Sequence, residues 1–353
     1  MSKKIKFHFN PHIQPSLFED LDLPDNRLED LPSMPDPEEF IVDRMEMPGV
    51  QSSASPSNPL AAPINGIKER DTVFFISFGS GSSGNSAFVA DNTGGFIIDA
   101  GVDLHRVTET LAGCGFSMND VKGIILTHDH SDHVHYVYTY VRRNPHIRVY
   151  CTPRAFNGIM RRHGISRRLK DYHVPIHKEF PFTIGAFEIT AFEVSHDGMD
   201  NAGFFIRRPA DPEAPTMAVA TDLGCITDRV DHYMRQATHI VIESNYDLAM
   251  LRNGPYPAHL KARIEAPTGH LDNVVAARYI ASIASAKLRH VFLCHLSQDN
   301  NKPEIAAAAM TDALNALRSG ADAEAQTALP EAPILVTPLP RLSASQLFTL
   351  RTV

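Results

Sequence analysis

The chain has 353 residues, of which 43% are hydrophobic, with a formal net charge of −8 and four cysteines. A chain of this length can fold around one large core or two small ones. No apolar run reaches the roughly 18 residues that a membrane-spanning helix needs, and no apolar signal segment follows the N-terminal Met-Ser-Lys-Lys. The cysteines form no Cys-x-x-Cys pair, which is typical of reduced thiols. We therefore expect a cytoplasmic protein without a membrane anchor.

Residues 1–70 differ in composition from the rest of the chain. They contain 7 Lys/Arg against 12 Asp/Glu, are rich in proline and serine, and show no sustained apolar periodicity. Such a segment cannot bury enough apolar surface to offset the loss of chain entropy on folding. We predict a disordered, acidic, Pro-rich tail over 1–70 and a folded domain over 71–353.

From residue 72 onward, short apolar β runs alternate with helical patterns. Strands are predicted at 73–77, 86–90, 95–98, 123–127, 187–192, 202–206, 217–220, 240–243 and 290–294. Helices are predicted at 104–111, 136–143, 154–163, 273–284 and 304–317. A polar loop over 320–333 and a last edge strand over 333–338 follow. This order of elements, in two similar halves, predicts an α/β protein with helices outside two packed sheets.

A dense run of histidine and aspartate occupies residues 128–133, His-Asp-His-Ser-Asp-His, directly after a predicted buried strand. His128 and His130 are expected on one side of an extended loop, and Asp132 and His133 at the start of the next helix. Nitrogen and oxygen ligands of this kind suit zinc or another borderline cation in two adjacent pockets. The run therefore predicts a metal site, and the structural alternative is a histidine-rich surface.

The other ligands must come from the ends of other strands. His196, Asp222 and His295 each follow an apolar strand, where a side chain can point into a common cleft. A carboxylate such as Asp222 can bridge two cations roughly 3.5–4 Å apart. We predict two divalent metal ions, zinc by default with manganese or iron as alternatives. For each of the three residues the competing interpretation is a core side chain with its polar atoms satisfied.

The order and type of these motifs resemble the metallo-β-lactamase superfamily over essentially the whole chain from about residue 72. The resemblance implies a four-layer αββα fold with the metals at one edge of its sheets. It implies that Asp99 hydrogen-bonds a ligand histidine. The metal ligands that it implies are His128, His130, Asp132, His133, His196, Asp222 and His295.

Further motifs are similar to the YycJ/WalJ-type branch of that superfamily. They occupy residues 79–86, 221–224, 243–247, 269–273 and 295–303. Members of the branch are regarded as DNA exonucleases connected with mismatch repair, so the resemblance implies a 5′-3′ exodeoxyribonuclease that acts in DNA repair. The sequence departs from the branch in its tail and at Asp272, where serine is expected.

The implied chemistry uses a bridging hydroxide, activated by the two metal ions, that attacks phosphorus in line. Asp132 would also orient that hydroxide. His270 is the candidate for contacting the phosphate or protonating the leaving oxygen, because imidazole suits acid–base work near neutral pH. The alternative role of His270 is the last metal ligand, in place of His295.

Two other segments are candidates for contacting substrate. The glycine-rich loop 79–86 lacks the Gly-Lys-Ser/Thr ending of a nucleotide-binding P-loop. Ser82, Ser83 and Asn85 in this loop are predicted to contact a phosphate, and the alternative is a tight hairpin turn. Asn245 and Asp247 either line the cleft or cap a loop.

Nine basic residues and no acidic one lie between Arg142 and Lys170, which favours an anionic polymer over simple solvation of helix faces. We predict DNA as the substrate, with RNA as the alternative. Three competing functions stay open: an RNA-processing nuclease of the tRNA 3′-endonuclease kind, a small-molecule ester or thioester hydrolase, and a metal-binding regulatory protein without catalysis.

The tail contains Gln14-Pro-Ser-Leu-Phe18, which is similar to the pentapeptide by which bacterial DNA-repair and replication proteins bind the sliding clamp. A flexible segment can present Leu17 and Phe18 to an apolar pocket while Gln14 supplies hydrogen bonds. A weaker candidate for the same interaction is the segment 346–350. The sequence thus predicts a sliding clamp as a second partner.

Overall fold

A computed structural model describes residues 72–162, 164–319 and 329–352. The predicted tail over 1–70 and the predicted clamp-binding peptide at 14–18 lie outside the described residues, as does residue range 320–328 of the predicted polar loop.

Within the described residues, seven strands form a first sheet in the order β14-β1-β2-β3-β4-β5-β6. β1 is buried along its whole length, which fits an apolar strand covered on both faces. The strands of this sheet are β1 (Val73–Gly79), β2 (Ser86–Asp91), β3 (Gly94–Ile98), β4 (Val121–Ile125), β5 (Arg148–Cys151), β6 (His173–Pro175) and β14 (Phe348–Leu350).

A second sheet of seven described strands has the order β13-β12-β11-β10-β9-β8-β7. β10, β11, β12 and β13 pair in parallel, whereas β7, β8, β9 and β10 pair antiparallel. The strands of this sheet are β7 (Phe182–Ile184), β8 (Phe187–Glu193), β9 (Ala202–Arg207), β10 (Met217–Ala220), β11 (His239–Glu243), β12 (His290–Cys294) and β13 (Leu335–Pro338).

Helices cover the outer face of each sheet. Phe75 of β1 and Phe292 of β12 meet between the sheets with ring centroids 4.8 Å apart. Ile280 and Met310 pack in a separate cluster on the far side of the second sheet. The fold is the predicted four-layer αββα sandwich. Its helices are α1 (Leu104–Gly113), α2 (Ser131–Val134), α3 (Val137–Arg143), α4 (Pro153–Arg162), α5 (Asp228–Met234), α6 (Leu248–Asn253), α7 (Ala258–Glu265), α8 (Asn273–Ile283) and α9 (Pro303–Ser319).

The predicted strands and helices of the described residues all occur, with ends that shift by a few residues. The strand predicted at 123–127 is β4, which ends two residues earlier, at Ile125. Thr127 therefore lies in the loop that leads into the run 128–133. The predicted last strand is β13, which lies at the edge of the second sheet and pairs with β12. Among the described residues, no helix combines the length and apolar character needed to cross a bilayer.

Two buried histidines make the stability of the fold dependent on pH. Burial, with the nearby His290 and Arg289, lowers the pKa of His239 to about 3, and burial lowers the pKa of His290 to about 4. The unfolded chain binds protons at these residues below a pKa of about 6.5, so their contribution to stability is complete above that pH and decreases as the pH falls toward 4. We expect the free energy of unfolding to fall by about 2 kcal/mol per histidine between pH 6.5 and pH 5.

Urea unfolding at pH 7 and pH 5 measures this effect. His290→Gln should reduce the difference between the two pH values, because glutamine does not titrate. His105→Gln is the matched control, since the side chain of His105 is 80% exposed. The same pH difference in the wild type and both variants would contradict the prediction.

Candidate metal centre

The residues predicted to bind metal lie together, each just after a strand. The run 128–133 follows β4, His196 follows β8, Asp222 follows β10 and His295 follows β12. His and Asp side chains from these positions form overlapping groups of three, and within each group the nitrogen and oxygen atoms lie within 4.8 Å of one another. Side chains that follow the ends of four different strands therefore form a single cluster.

One group of imidazoles comprises His128, His130 and His196. The His196 Nε2 lies 3.3 Å from the His130 Nδ1, and the ring centroids of His128 and His130 are 4.5 Å apart. The His196 Nδ1 donates to the carbonyl of Gly269 at 2.9 Å. This bond leaves the lone pair of the His196 Nε2 directed toward the group, as a metal ligand requires.

A second group comprises Asp132, His133 and His295. The His133 Nδ1 donates to the Asp99 Oδ2 at 2.7 Å, so its Nε2 is the nitrogen that faces Asp132, at 3.5 Å. The His295 Nε2 lies 3.5 Å from the same carboxylate. Asp99 thus fixes the ring of one member of this group, as the resemblance implies.

Asp222 lies between the two groups. Its carboxylate is 3.1 Å from the His133 Nε2, 3.5 Å from the His295 Nε2 and 3.7 Å from the His196 Nε2. The residue is buried, and the Thr221 hydroxyl donates to its Oδ2 at 2.8 Å. A single carboxylate therefore contacts members of both groups.

The backbone at this cluster is held in an unusual conformation. Asp99, Asp222 and His295 have φ values of +58°, +52° and +53°, in the left-handed region. Non-glycine residues rarely adopt this region, and when they do they concentrate at functional sites. The chain turns sharply after β3, β10 and β12, which directs these side chains into the cluster.

Burial and mutual contact shift the proton affinities of the cluster in opposite directions. Burial and the neighbouring His133 hold the pKa of His128 well below its usual range. Burial disfavours the charged form of His133, but the carboxylates of Asp222, Asp99 and Asp132 outweigh it and raise the pKa of His133 well above its usual range. The carboxylates thus favour positive charge on the neighbouring imidazole of His133, and a bound cation would offset the same negative charge.

The donor set fits a divalent cation. The buried Nε2 atoms of His128 and His295 have no hydrogen-bond partner among the described residues, although buried ring nitrogens normally have one. His128 also groups with His133 and Asp222, and His295 groups with Asp132 and His133, so each of the two atoms lies near a carboxylate. Imidazole and carboxylate ligands suit zinc and other borderline divalent ions. The cluster is therefore capable of binding divalent metal.

The other predicted site residues fall into two sets. Asn85 contacts the cluster, since its Nδ2 lies 3.0 Å from the His133 Nε2 and 3.1 Å from the Asp132 Oδ2. Asn245 also reaches it, donating to the carbonyl of His295 at 2.7 Å.

Asp247 instead caps helix α6, where its side chain accepts from the amide of Met250. Ser82 and Ser83 are exposed, and Ser82 lines a cavity beside the cluster. Of the polar residues predicted to lie at the cleft, Asn85, Asn245 and Ser82 thus lie at the cluster or its cavity. Asp247 instead caps the start of a helix.

Glu243 is a site residue that the sequence analysis did not single out. Its Oε1 accepts from the Nδ1 of both His270, at 2.7 Å, and His295, at 2.9 Å. Its Oε2 accepts from the amides of Leu223 and Leu271. Glu243 ends the buried strand β11. A charged residue at the end of an apolar strand was the signal that would have identified it.

His270 and His295 therefore share one carboxylate but differ in access. The side chain of His270 is 20% exposed, whereas that of His295 is 3% exposed. Burial disfavours protonation of His270, but Glu243 outweighs it and raises the pKa of His270 above its usual range. His270 thus has its Nδ1 bound to Glu243 and its ring at the edge of the cavity.

A four-layer αββα sandwich with a His/Asp cluster capable of binding metal defines a metal-dependent hydrolase of the metallo-β-lactamase fold. The family model described as a beta-lactamase superfamily domain matches residues 95–295, and the chain belongs to this superfamily. Within it, the chain is a protein of the YycJ/WalJ type, as its similarity to curated relatives shows.

The chain is 30% identical to the exodeoxyribonuclease YycJ of Bacillus anthracis over 246 residues, which cover 68% of this chain and 88% of the relative. It is 30% identical to the exodeoxyribonuclease WalJ of Streptococcus pneumoniae over 235 residues, which cover 67% of this chain and 86% of the relative. The solved structure of the metallo-beta-lactamase fold protein YhfI from Bacillus subtilis is 14% identical, with a TM-score of 0.54, and covers 79% of this chain and 100% of that one. These comparisons agree with the fold and with hydrolase chemistry.

Proposed function

We propose that the protein is a metal-dependent phosphodiesterase that degrades DNA as a 5′-3′ exodeoxyribonuclease in cytoplasmic DNA repair of the mismatch-repair type. The observation that supports this most directly is the pair of ligand groups that share Asp222, with His270 beside them. The exodeoxyribonucleases that are 30% identical to this chain support DNA as the substrate.

In this proposal His128, His130 and His196 would hold one cation and Asp132, His133 and His295 a second, and Asp222, whose carboxylate contacts members of both groups, would be a further ligand. Two bound divalent ions, zinc by default and manganese or iron as alternatives, would supply Lewis acidity that lowers the pKa of a water to near neutrality. Asp132 is half-buried, and its proposed further role is to orient the attacking oxygen.

His270 is proposed to protonate the leaving oxygen. Its Nδ1 is bound to Glu243, so the Nε2 is the atom that can transfer a proton. As the bond from phosphorus to the leaving oxygen breaks, that oxygen takes the proton of the Nε2, and Glu243 stabilises the ring in the required orientation. His270 lines the cavity through which substrate would reach the cluster.

An exposed basic face supports a nucleic acid as substrate. Arg154 and Arg161 lie on the exposed side of α4, whereas Ile159 on the opposite side is buried. Gly158 of the same helix lies so close to the loop of the metal-binding run that a Cβ there would collide with the carboxylate of Asp129. The helix with the arginines thus packs directly against the candidate metal centre.

Neutralising this face should weaken DNA binding without changing the chemistry. We expect the double variant Arg154→Gln/Arg161→Gln to reduce the slope of log affinity against log salt concentration by up to about 2, because each lost phosphate contact lowers it by about 1. Fluorescence anisotropy with labelled DNA over a salt series measures the slope.

Arg207→Gln is the matched control, since Arg207 is paired with Glu188 at 2.6 Å on another part of the surface. An unchanged slope in the double variant would show that DNA does not follow α4.

The proposed activity is tested with purified protein, Mn²⁺ or Zn²⁺, and end-labelled single- and double-stranded DNA, RNA and a cephalosporin. We expect mononucleotides released from the 5′ end of DNA, and no activity in Asp132→Ala. Cleavage of the cephalosporin alone would overturn the proposal, and preferential cleavage of RNA would favour an RNA-processing nuclease.

The sliding clamp is proposed as a protein partner on the sequence of the segment 14–18 alone. Deleting residues 1–20 should abolish clamp binding in a pull-down and leave nuclease activity on short DNA unchanged. Equal clamp binding by the full chain and the deletion variant would remove this part of the proposal.

A further inference from the structure

A cavity of about 190 Å³ opens beside the candidate metal centre. One of its walls belongs to the centre and is polar, with His270, Asn245 and Ser297. Helix α7 and the loop before it contribute Tyr256 and Leu260 to the lining. The cavity therefore combines polar groups, including the proposed proton donor, with an aromatic and an apolar side chain.

Tyr256 is held in position at both ends. Its hydroxyl donates to the Asp299 Oδ2 at 2.9 Å, and its ring packs with Leu260 against a small core of Tyr246, Leu251 and Ile264. An aromatic side chain fixed in this way loses little further conformational entropy when a ligand stacks on it. It is thus a preorganised stacking surface.

The charges at the cavity favour a neutral ligand group. Arg263 donates to the Asp197 Oδ2 from its Nε at 2.8 Å and from its Nη2 at 2.7 Å, so the two charges compensate each other. Asp197 also lies 3.2 Å from the His130 Nε2, so this ion pair connects α7 to the metal-binding run. A second phosphate would compete with Asp197 for Arg263, whereas a flat uncharged ring would not.

We propose that this cavity is a subsite for the nucleobase of the nucleotide whose phosphate lies at the metal centre. The assignment rests on the proposed phosphodiesterase function. A cavity of this volume is small compared with the pockets of drug-sized ligands and suits one base rather than a duplex end. Stacking on Tyr256 tolerates every base, since all have a π face, and so suits a nuclease without sequence preference.

The test compares two esters with the same leaving group, thymidine 5′-(p-nitrophenyl phosphate) and methyl p-nitrophenyl phosphate, which has a methyl group in place of the nucleoside and therefore no second ring that could stack. In Tyr256→Ala we expect the KM for the thymidine ester to rise between about 5-fold and 150-fold, the range for loss of one stacked base. The value of kcat/KM for the ester without a nucleoside should stay within about twofold. Tyr256→Phe, which keeps the ring, should resemble the wild type, and Tyr256→Leu, which keeps apolar volume without a π face, should resemble Tyr256→Ala.

Phe180→Ala is the control for loss of an aromatic side chain, because Phe180 is 69% exposed and does not line the cavity. Equal losses on both esters in Tyr256→Ala, or no loss on either, would overturn the subsite. Calorimetric titration with thymidine 5′-monophosphate and with inorganic phosphate provides a readout that needs no turnover. If the wild type hydrolyses neither ester, the phosphodiesterase proposal fails, and a weaker affinity of Tyr256→Ala for the nucleotide alone still decides whether the cavity binds a base.

Discussion

Replacement of Asp222 by asparagine is expected to lower phosphodiesterase activity by about 10³-fold or more and to reduce the amount of bound metal. Asp222 is the buried carboxylate that contacts His133, His196 and His295, so it joins the two ligand groups. An amide oxygen has no formal charge and is a much weaker ligand for a divalent cation than a carboxylate oxygen. Metal content by mass spectrometry and hydrolysis of end-labelled DNA are the measurements.

Asparagine is the informative substitution because Asp222 has a φ of +52°. Asparagine tolerates the left-handed region, whereas alanine would add backbone strain to the loss of the ligand. Asp103→Asn is a suitable control, since Asp103 caps α1 and asparagine caps helices equally well. An Asp222→Asn variant with full metal content and a normal unfolding temperature would remove Asp222 from the proposed site.

The clustering of the candidate ligands could be predicted because their positions obey a local rule. His196, Asp222 and His295 each follow a run of apolar residues that forms a strand. β10 and β12 run parallel on either side of β11, and β8 has the same direction because two antiparallel pairings separate it from β10, so all three strands end at the same edge of the sheet. Glu243 obeys the same rule at the end of β11, but it does not belong to the metal-ligand motifs that directed attention to the other three. Its role is evident only when its four hydrogen-bond donors are seen together.

Other features of the site depend on contacts that no local pattern contains. Part of the cavity lining comes from α7 and the loop before it, short segments whose ring and apolar groups pack on a core of a few residues. From the sequence, Asp247 could either line the cleft or cap a loop. The hydrogen bond that its side chain accepts from the amide of Met250 shows that it caps α6. The departure at Asp272 also has a local explanation: its side chain accepts from the amides of Val274 and Val275 at the start of α8, as the expected serine would.

The choice between His270 and His295 as the last ligand also depends on contacts that the local sequence does not contain. The sequence favours His295, which follows an apolar strand, but both histidines bind the same oxygen of Glu243 and so both lie beside the cluster. The difference lies in exposure, since His270 borders the cavity and His295 is enclosed among carboxylates. Exposure depends on the packing of α7 and α8 and is not encoded next to either residue.

Glu243→Gln should separate the two histidines by function. The glutamine side chain has one acceptor oxygen, so its NH₂ group must face either the ring N–H groups of His270 and His295 or the amides of Leu223 and Leu271. Either arrangement leaves buried donors opposed, at a cost of about 1–3 kcal/mol in stability. We expect hydrolysis of DNA to fall by about 10²-fold or more, because His270 loses its orientation as a proton donor.

Substrates with different leaving groups show through which of the two histidines Glu243 affects activity. The leaving oxygen of DNA is a poor leaving group that needs a proton as its bond to phosphorus breaks, whereas p-nitrophenolate departs without one. If Glu243 acts through His270, both Glu243→Gln and His270→Gln lose much more activity on DNA than on the thymidine p-nitrophenyl ester, and both retain their metal. If Glu243 acts through His295, the losses on the two substrates are equal and metal content falls in Glu243→Gln. The second result would assign the carboxylate to the metal centre and would leave the proton donor to be found elsewhere in the cavity.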